Sequence, residues 1–169
     1  LADKNALNAD AFYQNISILG MVHKISGWWG NDLWMLVPAM VLFLLPAVRV
    51  RQYGNIGFQW AFVASVLMCI VLFSTGSESS GYIIALTGVA LWYLTAPWRR
   101  GRTDLVLVIF VLVFASYGAD FFPHSIRYSF MWPYALKALP VTLVWLKLIY
   151  EMCSRDYSVA GVREDLLVN

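Results

Sequence analysis

Apolar residues in this chain come in long unbroken runs separated by short polar turns. Five runs stand out, at about 33–48, 57–74, 81–96, 104–118 and 131–152. They are continuous where the strands of a membrane barrel would alternate, so each predicts a helix. Their lengths approach the roughly 20 residues that cross a hydrocarbon core, where a helix satisfies every backbone N–H within its own segment. The runs read as free of internal charge, apart from Lys137 a turn or two inside the fifth. Upstream, Phe12, Ile16, Leu19 and Val22 recur at helical spacing with Gln14, Asn15, Ser17 and Lys24 between or after them. That pattern predicts an amphipathic helix lying in an interface, its apolar face against lipid or the bundle. The expected fold class is an all-α polytopic membrane protein, with about five transmembrane helices and an N-terminal interfacial amphipathic helix. Residues 1–30 form the outer-face segment, 31–152 the bundle and 153–169 a cytoplasmic tail.

Composition agrees with this reading. The 169 residues are 60% hydrophobic and 13% charged, about half the charged share of an ordinary soluble domain. The formal net charge of +2 and the lack of a basic cluster outside the short turns argue against nucleic acid as a partner. The basic residues instead assign sidedness. Arg49 and Arg51 follow the first run, Arg99, Arg100 and Arg102 the third, and Arg155 and Arg163 the fifth. Alternating spans put all three groups on one side, which the excess of positive charge marks as cytoplasmic. Residues 1–30, the loop around Glu78 and the loop 119–130 then lie outside. Trp28, Trp29, Trp34, Trp92, Trp98 and Trp132 sit near run ends and predict an interfacial belt. Pro38, Pro46 and Pro140 predict kinks. Cys69 reads as a small buried hydrophobe, and Cys153 has no partner at metal-ligand spacing. The chain opens on Leu1 without a signal-peptide pattern, so a C-terminal piece of a longer protein is expected, with the N-terminal part of the same chain as its partner.

Two features carry candidate chemistry. In FSTGSESSGY (73–82), Thr75 and Glu78 fit a capping box at the start of the third run. Ser74, Ser77, Ser79 and Ser80 crowd the same carboxylate, a set of hydroxyls suited to hydrogen-bonding a sugar. Cap and ligand site remain alternatives, and the two are compatible. The second feature is positive charge on the outer side: His23, Lys24, His124, Arg127 and Lys137. Loop cations there meet water or lipid headgroups, and Lys137 can snorkel to the interface; a shared phosphate is the functional alternative. Asp120 reads as a turn former before a base. No phosphate-binding glycine loop, metal cluster or cofactor motif is present.

QNISILGMVHKISGW, FSTGSESSGYIIALTGVALWY and PYALKALPVTLVWLKLIYEM, in this order, resemble the C-terminal part of glycosyltransferase family 87 over about Asn15 to Met152. These are membrane-embedded enzymes of the GT-C class, similar to transferases that use polyprenol-phosphate-mannose. The resemblance implies transfer of a hexose, mannose foremost, from a polyprenyl-phosphate donor to a glycan or lipid acceptor on the outer face of the bacterial inner membrane. It implies that His23, Lys24, His124, Arg127 and Lys137 hold the donor phosphate and that Ser77, Glu78 and Ser79 meet sugar hydroxyls. No cofactor is implied. The family places its catalytic acid in the first outer loop, ahead of Leu1, so no catalytic residue is assigned within this chain. A non-catalytic accessory subunit is the alternative; a transporter component fits less well, since the second and fourth runs lack mid-depth polar groups and no two halves look alike.

Overall fold

A computed structural model describes residues 17–27, 31, 33–74, 81–116 and 138–158. Among these the chain is all-helical, with no strand. Helix α1 spans Ile18–Ser26, α2 Leu33–Leu44, α3 Ile56–Phe73, α4 Tyr82–Leu94, α5 Arg102–Val111 and α6 Ala138–Ser154. These coincide with the five apolar runs to within a few residues, except that only the later part of the fifth is described.

Local chemistry sets the helix ends. Ser17 caps α1 by accepting from the Gly20 N–H at 3.1 Å, and Gly27 closes it with φ 63°, donating to the His23 carbonyl. That left-handed residue suits glycine, which carries no Cβ to clash. The helix therefore begins at Ile18; Phe12 and Ile16 of the expected apolar stripe lie outside the described residues. Leu19 and Met21 are buried, and the helix packs on α3 and α6, which decides for the bundle over lipid. Helix α2 tightens at its end into 3-10 turns over Leu45–Val48 and Val50–Gln52. Pro46 opens the first of these, where the missing N–H has no intrahelical acceptor to lose, and Pro140 is the third described residue of α6. Pro38 lies within the interior of α2. Helix α5 is capped by Asp104, whose Oδ2 accepts from the Gly101 N–H at 3.0 Å, and it widens into a π turn over Leu112–Ser116.

Helix α6 is the hub, touching α1, α3, α4, α5 and the first 3-10 turn. Its Val141, Val144, Leu148 and Met152 are buried against Met68 and Leu72 of α3 and Val89 and Trp92 of α4. Trp145 donates to the Ser65 hydroxyl at 3.0 Å across this core. Helices α3 and α4 form the tightest pair, because Ala61, Ala64, Ala85 and Gly88 leave room for backbones to approach. Gly88 decides the spacing. A Cβ there would lie 2.9 Å from the Ala64 carbonyl oxygen and 2.9 Å from Met68 Cγ.

The exterior is apolar as well. Trp34 is 76% exposed, Leu94 74% and Ile83 69%, and each of α2 to α6 presents such side chains outward. Among the described residues one helix, Ile56–Phe73, is long and apolar enough to cross a membrane; Leu33–Val48 and Tyr82–Leu94 are shorter apolar helices.

Gly88→Ala is expected to lower the thermal unfolding midpoint of the purified protein. Overpacking costs about 1–3 kcal/mol, and the gain in helix propensity, about 1 kcal/mol, offsets only part of it. Gly54→Ala, where a Cβ meets nothing within 4 Å, is the control expected to leave the midpoint in place.

Candidate functional site

The turns that carry the basic residues converge. Helix α3 starts beside Gln52, which accepts from the Asn55 amide at 2.8 Å, and α4 ends where Arg100 donates to the carbonyls of Trp92 and Tyr93. Helix α5 starts at Arg102 with Asp104 in its first turn, and α6 ends at Glu151 to Ser154 beside both. Successive helices therefore run alternately away from and toward one basic end.

Glu151 lies at the centre of that end, 1% exposed. Arg100 Nη1 donates to its Oε2 at 2.8 Å and its Oε1 at 3.1 Å, and Trp92 Nε1 donates to Oε2 at 2.8 Å. The Arg100 guanidinium also stacks 4.3 Å from the Trp92 ring centroid. Asp104 lies 3.9 Å from the same arginine and pairs with Lys147. Two cations thus face two carboxylates, and the cluster is neutral as a set. Helix geometry explains the meeting: Lys147 and Glu151 are four residues apart on one face of α6, and Arg100 and Asp104 flank the start of α5.

A second layer closes the end. Arg49 Nη1 donates to the carbonyls of Met152 at 2.9 Å and Arg155 at 2.6 Å, satisfying groups that the last turn of α6 leaves open. Gln52, buried, donates to Asp156 Oδ1 at 2.7 Å and accepts from the Tyr157 N–H at 3.1 Å. Trp98 lies between the guanidinium of Arg155, at 4.6 Å, and that of Arg100, at 5.7 Å, with its ring edge to Tyr157. The Asp156 carboxyl is held down at about 2, first by the Ser158 N–H and then by Gln52 and the Ser158 hydroxyl. Burial pushes the Tyr157 phenol up, and the Glu151 charge adds to that.

These contacts correct two sequence expectations. Trp92, 1% exposed, and half-buried Trp98 are pieces of a polar lock inside the bundle, so neither belongs to an interfacial belt; Trp34, 76% exposed, keeps that role open. Lys137 is not the one charge in the runs, since Asp104 opens the fourth and Lys147 and Glu151 occupy the fifth. The signal was legible as two opposite charges at helical spacing within an apolar stretch.

The expected site residues have a different fate. His23 lies half-buried on α1, with Lys24 next to it on the same helix. Ser77, Glu78, Ser79, His124, Arg127 and Lys137 lie outside the described residues, as do Thr75 and Asp120. The α-helix after the serine-rich stretch begins at Tyr82, with Gly81 at its cap position and no side-chain cap. The helix ends that flank these stretches are described. Phe73 and Tyr82 terminate their helices at the end opposite the basic lock, and the described parts of the π turn and of α6 reach Ser116 and Ala138 on that side; Phe73 is about 26 Å along α3 from its start, by helical rise. Among the described residues, no three His, Cys, Asp or Glu side chains are grouped to hold a metal. The lock itself offers no free nucleophile, because each of its charged groups is engaged by a neighbour. Comparison with family models, curated proteins and solved structures finds no match for this chain.

Glu151→Ala is expected to destabilise the protein by roughly 3–5 kcal/mol, the cost of leaving a buried partner charge uncompensated. Arg100→Met combined with Glu151→Leu is expected to cost less than the two single changes together, and thermal unfolding of all variants measures this coupling. Asp156 contributes the opposite kind of signature. Its pKa is depressed from 3.8 to about 2, so its stabilisation is fully present above about pH 4 and is lost as pH falls through about 2. Asp156→Asn is expected to flatten the stability profile in that window alone.

Proposed function

We propose that this chain is the membrane-embedded, donor-side portion of a glycosyltransferase that moves a hexose, mannose foremost, from a polyprenyl-phosphate donor to a glycan or lipid acceptor. The observation that carries the reading is the alternation of helices between a basic end and an end from which the serine-rich and outer basic stretches depart, within a bundle whose outside is apolar. An exterior of this kind suits hydrocarbon, and large exposed apolar surface is rare on soluble monomers. On this reading α2 to α6 are five crossings, the basic end faces the cytoplasm, and chemistry takes place at the opposite face.

The chemistry needs two things there. A lipid phosphate leaving as an anion requires cations, for which the stretches contribute His23, Lys24, His124, Arg127 and Lys137. A hexose requires hydroxyl and carboxylate partners, for which Ser77, Glu78 and Ser79 are suited. The resemblance to family 87 supports this division of roles, and no residue of this chain is assigned as the general base. A non-catalytic accessory subunit is the second reading, favoured by the mutual engagement of the charged groups at the basic end.

In the full-length protein, Lys24→Ala and Arg127→Ala are each expected to reduce sugar transfer from a polyprenyl-phosphate donor by at least about tenfold, the scale of one lost charge-assisted contact. Unchanged transfer in both variants removes the phosphate role and favours the accessory reading. Membrane embedding is tested separately: the chain is expected to resist alkaline carbonate extraction, and a cysteine introduced at Arg99 is expected to react with an impermeant maleimide only after the cytoplasmic face is opened.

A further inference from the structure

The 3-10 turn after α2 bounds an open hollow of about 480 Å³, lined by Val48, Arg49, Val50, Arg51, Gln52 and Asp156. Its size falls within the roughly 300–1,000 Å³ of ligand pockets. Arg49 spends Nη1 on the carbonyls of Met152 and Arg155, which fixes that guanidinium at the rim. The Arg51 side chain is exposed and has no partner among the described residues. Asp156 faces the same hollow, but its Oδ1 already accepts from Gln52 at 2.7 Å and from the Ser158 N–H and hydroxyl at 2.9 and 2.8 Å. Two cations against one engaged carboxylate leave a single net positive charge facing the space.

The apolar side of the hollow narrows the choice of ligand. Val48 and Val50 are 78% and 67% exposed, and Leu44 at the end of α2 and Leu45 just after it are exposed as well. A free anion has no use for that surface. A phospholipid does, because its acyl chains follow the apolar helix while its phosphate reaches the arginine at the helix end. Such a headgroup sits where positive residues accumulate at the cytoplasmic face.

The geometry points to a headgroup site at this hollow for an anionic phospholipid, with Arg51 and Arg49 gripping the phosphate and Val48 and Val50 meeting the start of the acyl chains. The site rests on the membrane-embedded reading given above. Arg51 holds the phosphate through its planar fork, which matches two phosphate oxygens, and Arg49 contributes charge from a fixed position. Phosphatidylglycerol, with one negative charge and no ammonium group, complements the single net positive charge of the hollow.

The test uses the full-length protein purified in a neutral detergent, with thermal unfolding followed on titration of phosphatidylglycerol, phosphatidylcholine or inorganic phosphate. Phosphatidylglycerol is expected to raise the unfolding midpoint in a saturable manner, phosphatidylcholine and inorganic phosphate to leave it in place. Arg51→Ala is expected to weaken the phosphatidylglycerol effect by at least about tenfold in apparent affinity. Arg99→Ala, an exposed arginine outside the hollow, is expected to change nothing. Equal stabilisation by phosphatidylcholine, an equal effect of inorganic phosphate, or an Arg51→Ala variant that responds like the parent overturns the site. Carbonate extraction separates the two levels. A chain that resists extraction but shows no lipid effect loses this site alone, whereas a chain released by carbonate loses the embedded reading whatever the titration gives.

Discussion

Three helices at the basic end, α4, α5 and α6, are referred, directly or through one neighbour, to the carboxylate of Glu151. It accepts from Arg100, which reads out the end of α4 through the Trp92 and Tyr93 carbonyls, and from the Trp92 indole itself. Arg100 also faces Asp104, which caps α5 and takes Lys147 from α6. One buried acid therefore fixes how three helices meet. Such a set is not a large net source of stability, because desolvating four charges costs nearly what their attraction returns. Its effect is on choice. A bundle of greasy helices has many packings of similar energy, and a misaligned one would leave a charge buried without its partner.

The rest of the packing works in the opposite manner, by shape. Gly88 and the alanines of α3 and α4 bring two backbones close, and dispersion between the surfaces holds them with little directional preference. Small residues set the distance and the ionic set gives the register. Trp145, joined to Ser65 through its indole N–H, stands between these two modes as a large apolar side chain with one polar requirement.

Two ends of unlike character follow. At one, polar groups are engaged with each other: Arg49 closes the last turn of α6, Gln52 ties the turn after α2 to residues 156 and 157, and Trp98 is held between two guanidinium groups. At the other, Phe73 ends α3 and Tyr82 begins α4 on either side of the serine-rich sequence.

Much of this was legible along the chain. Uninterrupted apolar runs determined the helices and their approximate limits, because they lack the alternation of strands and a helix satisfies its backbone groups within its own segment. The placement of arginines after alternate runs determined that Arg49, Arg100 and Arg155 share an end, as their contacts show. What the sequence left undecided was the partner of each polar group. Trp92 near a run end is equally compatible with a headgroup belt and a buried hydrogen bond, and Glu151 has two visible counterions at helical spacing, Lys147 and Arg155. Tertiary structure gave Glu151 to Arg100, 51 residues away, and gave Lys147 to Asp104 instead. Pairings of that kind depend on which helix faces which, and hydrophobic periodicity carries no information about facing when a helix is apolar on all sides.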